Sequence, residues 1–205
     1  MLTQDQLHLA YGELPQRDLG QLKVVSGRVV ACDALTLQSA EPFVQTVPPG
    51  SHPVRLISTA ETPYAAAVLV CAPGRPVRWA LAVTASDGDP DALAPDEVYG
   101  YPVGAGMGCF MDERATPLWE AETDAYDGTH YDDLIEDHLL DLPERDWANY
   151  VIGSHRTVEH AVAVSNPDAL NIVLFRSGFG DGVYGTYAGL DEDGRLLCLL
   201  TDFAL

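Results

Sequence analysis

From residue 22 onward, short apolar runs alternate with clusters of proline, glycine and aspartate, which is the rhythm of strands and tight turns. Runs at 22–32, 54–58, 65–71 and 78–84 are rich in Val, Leu and Ile and end at Pro-Pro-Gly, Ala-Pro-Gly or Asp-Gly-Asp-Pro. The last three start ten to fifteen residues apart, leaving no room for crossover helices, so they pair antiparallel. A glycine-punctuated run at 99–111 follows, and further strands are predicted at 149–153, 160–164, 171–176, 183–190 and 195–203. The Asp191-Glu-Asp-Gly194 turn between the last two is a hairpin connection in which Gly194 supplies a positive φ.

Helical spacing shows in two places. Residues 2–12 carry Thr3 and Gln6 at capping-box spacing. Residues 130–142 place Leu134, Ile135, Leu139 and Leu142 on one face. One or two helices are expected within 113–146, with 121–129 as a mobile loop, and Asp87 to Glu97 as an acidic loop or single helical turn. The expected fold is a single α+β domain over 1–205. It is predominantly antiparallel β, a sandwich-like sheet with a short N-terminal helix and an acidic, partly helical insertion at about 113–146.

Charge narrows the partners. Eleven basic residues, Lys23 the single lysine among them, face 31 acids, for a formal charge of −20. Such a field repels nucleic acid and anionic membranes and favours basic proteins or cations. Residues 112–146 alone hold thirteen acids against two arginines. No apolar run is long enough to span a bilayer, and the N-terminus lacks a secretory pattern, so a cytoplasmic location is expected. Cys32, Cys71, Cys109 and Cys198 form no Cys-x-x-Cys pair and read as reduced, buried thiols.

Three segments together resemble a known bacterial family. They are Gly27-Arg-Val-Val-Ala-Cys-Asp33 with Val47-Pro-Pro-Gly50; Pro95-Asp-Glu97 through Tyr101 with Gly106-Met-Gly-Cys-Phe-Met-Asp112; and Ser177-Gly-Phe-Gly-Asp-Gly-Val-Tyr184 through Thr201-Asp-Phe203. The family is catalogued as domain of unknown function 4241, and the likeness runs over roughly 22–203. It implies a shared fold and no particular activity. Phe179 stands where the family carries a tryptophan.

The candidate functional surface is Asp33, Glu97, Asp112, Asp181, Tyr184 and Asp202, which lie at strand ends or glycine turns. Clustered carboxylates beside glycines suit hard cations, so Ca²⁺ or Mg²⁺ could bind at Asp112, Asp181 and Asp202. The plainer reading is that such carboxylates accept backbone amide hydrogen bonds and stabilise turns. The histidines are dispersed, and no nucleophile elbow, phosphate loop or dinucleotide fingerprint is present. Two functions follow from these residues: an acidic interaction or immunity-type protein that binds a basic partner, or a metal-assisted hydrolase using a carboxylate cluster.

Overall fold

The computed structural model describes residues 2–37, 40–94, 97–125, 149–152 and 165–205. The helix expected at 130–142, the strand at 160–164 and the loop from 126 to 129 lie outside the described residues.

Helix α1 (Gln4–Gly12) begins with the expected capping box, Thr3 accepting from the Gln6 amide while the Gln6 side chain accepts from the Thr3 amide. Twelve strands follow among the described residues: β1 (Gln16–Val24), β2 (Arg28–Asp33), β3 (Pro42–Thr46), β4 (Gly50–Ile57), β5 (Ala66–Val70), β6 (Arg78–Leu81), β7 (Gly100–Val103), β8 (Met107–Asp112), β9 (Asn149–Val151), β10 (Asn171–Arg176), β11 (Gly182–Leu190) and β12 (Leu196–Asp202). Helix α2 (Thr116–Ala125) lies between β8 and β9.

The strands form two sheets. One has seven strands in the order β1-β4-β5-β12-β11-β6, with β7 also on β11; the other has five, ordered β3-β2-β8-β10-β9. Every pairing is antiparallel. Alternation along each strand then sorts side chains into layers. Leu22, Val54, Leu56, Leu69 and Leu199 from one sheet meet Val29, Phe110, Val173 and Phe175 from the other in the central core. On the outer face of the larger sheet, Val68, Cys198, Leu200 and Trp79 pack with Leu7 and Ala10 of α1. On the outer face of the smaller one, Cys32, Cys109, Met111 and Ile172 pack with Trp119 of α2. The protein is an α+β sandwich with a helix against each outer face.

Gln4 fastens α1 to the sheet by matching both backbone groups of Trp79, its amide nitrogen donating to the carbonyl and its oxygen accepting from the N–H, each at 2.8 Å. The last hairpin is as expected, with Gly194 at φ +80 and its N–H donating to the Asp191 carbonyl.

Two runs read as single strands are in fact pairs. The run 22–32 breaks at Val25–Gly27, and β1 and β2 belong to different sheets. The run 99–111 breaks at Gly104–Gly106, and β7 and β8 also part between sheets. Apolar periodicity carries across both corners because each flanking strand buries one face in the shared core. A third departure is β3, whose Pro42 suits an edge strand but whose polar residues hide the alternation. Residues 121–125, read as the start of a loop, are the last turn of α2. Its acids are tolerated because Trp119 anchors the helix, donating to the Ala34 carbonyl at 2.8 Å, while Glu122 accepts from Tyr150 at 2.7 Å.

Candidate functional site

The two most buried candidate acids hold the two sheet-switching corners, and they do so reciprocally. Asp33 ends β2 and Asp112 ends β8, neighbouring antiparallel strands in which Asp33 pairs with Gly108 and Val29 with Asp112. The two carboxylates therefore sit at opposite ends of one ladder. Asp112 Oδ2 accepts from the Val25 and Ser26 amides and the Ser26 hydroxyl, each at 2.8 Å, and Oδ1 accepts from the Arg114 amide at 2.9 Å. Asp33 Oδ2 accepts from the Gly104 amide at 2.8 Å and Ala105 at 3.0 Å, while Oδ1 accepts from Leu35 and Thr36. Each aspartate thus clasps the corner that leads into the other's strand. Both side chains are buried, and a carboxylate receiving several amides is well solvated by the protein itself.

Asp181, Tyr184 and Asp202 do come near one another, at the glycine turn between β10 and β11. Asp181 is exposed, and Tyr184 is half-buried, packing edge-on against Phe203 at 5.0 Å between ring centres. The Tyr184 hydroxyl donates to the Gly180 carbonyl at 2.7 Å and so closes the turn. Burial first, then the nearby Asp181 and Asp202 charges, raises the Tyr184 pKa above the usual phenol value. Tyr184 faces the central core and Tyr187 the α1 side, as their spacing requires. Tyr184 and Asp202 share a shallow cavity of about 340 Å³ with Leu2, Val98 and Tyr187. Glu97 is exposed and caps its own loop by accepting from the Ala94 amide at 3.0 Å.

Burial also raises Asp202 above its ordinary 3.8, although it accepts from the Leu205 amide. An acid raised in the folded state binds its proton more tightly there than in the unfolded chain. Its contribution is therefore complete below pH 3.8 and is lost as pH climbs through the folded value. Asp202→Asn is expected to raise the melting temperature at neutral pH, with the gain shrinking toward pH 3.8, as thermal scans across pH would show.

Among the described residues, no three His, Cys, Asp or Glu side chains are grouped so as to hold a metal ion. The feature that does gather polar chemistry is a partly open cavity of about 310 Å³ between the sheets, lined by β2, β3, β7 and the segment 82–87 that follows β6. Asp33, Glu41 and Asp87 line it, with Thr84, Thr186, Tyr99 and Tyr101, and its lining includes neither lysine nor arginine. The volume lies at the small end of ligand sites, enough for one extended side-chain head group. Asp87 is held by the Thr84 amide at 2.6 Å and hydroxyl at 3.0 Å, which fixes its carboxylate at the mouth. Glu41 and Asp87 were not among the sequence candidates. Glu41 precedes the strand that polar residues conceal, and Asp87 looked like one acid of a solvated loop. A usable signal was present in the chain: no basic residue occurs between Arg78 and Arg114.

A buried carboxylate at each corner and a small acidic cavity between two antiparallel sheets define the chain as a β-sandwich with an anionic inter-sheet site. Residues 22–201 match the family described as "Protein of unknown function (DUF4241)", and the chain belongs to that family. No curated protein and no solved structure matches it.

Proposed function

We propose that this protein acts by binding a basic partner, and that the inter-sheet cavity receives a cationic side chain from it. The observation that carries this reading is the lining: Glu41 and Asp87 offer carboxylates to a partly open cavity, Asp33 adds its charge from the buried corner behind them, and no lysine or arginine compensates. Exposed Asp89 and Asp91 continue the acidic rim along the same loop. Their field would steer a basic surface toward the mouth. Residence in the cytosol belongs to the same proposal. It is supported by four free cysteines, and no described helix is long and apolar enough to cross a membrane. The hydrolase reading has weaker support, since Asp33 and Asp112 spend their oxygens on backbone amides at separate corners.

A ten-residue arginine peptide, titrated calorimetrically against the full chain, tests the reading. Binding is expected at low salt and should weaken several-fold as ionic strength rises toward about 0.3 M. The double variant Glu41→Gln/Asp87→Asn should weaken it about tenfold, equivalent to about 1.4 kcal/mol. Glu192→Gln/Asp193→Asn, an equal charge change on the exposed β11–β12 hairpin, should leave it nearly unaltered. Equal loss in both double variants, or no binding at all, would overturn the cavity as the recognition point.

A further inference from the structure

The four cysteines are not equivalent. Cys32 and Cys109 are register partners in the β2–β8 ladder, and their sulfurs lie 3.5 Å apart. Ala34 donates to the Met107 carbonyl two rungs along, which makes the 34–107 rung a hydrogen-bonded pair. Hydrogen-bonded rungs recur every second residue, so Cys32–Cys109 is one as well, with an α-carbon separation of about 5.5 Å. That falls inside the window of about 4.4–6.8 Å that a disulfide spans. Both side chains project to the same face, under Trp119 of α2. Cys71 and Cys198 offer the contrast. They too lie on adjacent strands, since Cys198 pairs with Val70, yet Cys71 faces the central core and Cys198 the α1 side. A bridge between those two would have to pass through the sheet.

We propose that Cys32 and Cys109 are a dithiol–disulfide site, oxidised by a small hydroperoxide. Cys32 is buried on the outer face of the five-stranded sheet, beneath α2. A thiolate sulfur of Cys32 attacks the peroxide O–O bond, giving a sulfenic acid and, for hydrogen peroxide, one water. The Cys109 sulfur then displaces the sulfenic oxygen, which leaves as a second water once protonated, and the S–S bond forms. Two thiols have lost two electrons and two protons, and the peroxide has gained them. A thiol reductant reverses the step by exchange. The bond would join two central strands of the five-stranded sheet, between the corners that Asp33 and Asp112 clasp. Burial first, with the adjacent Cys32 adding to it, raises the Cys109 thiol well above its ordinary value, so oxidation is slow compared with that of an exposed cysteine.

The site is independent of any binding partner, and trypsin can read it directly. Cleavage after lysine and arginine, spared at Arg75-Pro76, puts the four cysteines in four separate peptides: 29–55, 56–78, 79–114 and 196–205. The folded full-length protein is exposed to hydrogen peroxide, blocked at low pH with an alkylating agent and digested. The expected result is a single linkage, 29–55 to 79–114, with free thiols falling from four to two and returning to four with dithiothreitol. A linkage involving 56–78 or 196–205 would overturn the proposal. So would sulfinic acid on an unlinked Cys32 or Cys109, or four surviving thiols after an exposure that oxidises the urea-unfolded chain.

Discussion

Replacing Asp112 with alanine is expected to cost about 4 kcal/mol of folding stability, the largest effect of any single acidic residue in the described structure. The side chain has no solvent exposure and receives four hydrogen bonds, three of them from backbone amides. Hydrogen bonds to a charged group contribute about 1.5–3 kcal/mol each, and partial rehydration of the vacated corner recovers some of that sum. With a urea dependence of about 2 kcal/mol per molar, the unfolding midpoint should fall by about 2 M. Asp112→Asn keeps one acceptor oxygen but turns an amide donor toward other donors, so it should lose roughly half as much. A catalytic or metal-binding Asp112 would behave in the opposite way. Removing a functional acid from its site commonly leaves stability unchanged or improves it.

Asp33→Ala is expected to cost about 3 kcal/mol, measured by the same urea titration. It also clasps four amides, but Gly104 and Ala105 are exposed, so water can replace two of the lost bonds more readily than at Asp112. Its second consequence is local. The 104–106 corner forms the passage from β7 to β8, and β7 supplies Gly100, Tyr101 and Pro102 to the inter-sheet cavity. Freed at that corner, β7 keeps only its short ladder with β11, from Gly182–Val103 to Gly185–Gly100. Cationic-peptide binding should therefore weaken in Asp33→Ala beyond what one lost charge explains. Asp112→Ala, at the far end of the ladder, should retain binding wherever it remains folded.

The strands were largely legible in the chain because each sheet buries at least one face and the turns are marked by glycine and proline. The corners were not. A strand that leaves one sheet for another keeps the same apolar periodicity on both sides of the bend, so 22–32 and 99–111 read as continuous. What marks each bend is an aspartate about seventy to ninety residues away in sequence, 71 from Asp33 to Gly104 and 87 from Asp112 to Val25. Local pattern cannot carry that information. For the same reason Asp33 and Asp112 stand out in the chain, since each ends an apolar strand, while their partners stay hidden. Glu41 and Asp87 were missed because the cavity they line arises only when β2–β3 and β6–β7 meet from different sheets.

Backbone hydrogen exchange at the two corners tests the reciprocal clasp most directly. Val25, Ser26, Gly104 and Ala105 lie outside the strands, and their amides donate to aspartate. Loop amides ordinarily exchange through small local openings, whereas amides locked to a buried carboxylate open only with the sheet. Protection of these four within about tenfold of Val173, in the middle of β10, is the expected result. Exchange at unprotected loop rates, with Val173 still slow, would contradict the clasp and return both aspartates to the list of groups available for chemistry.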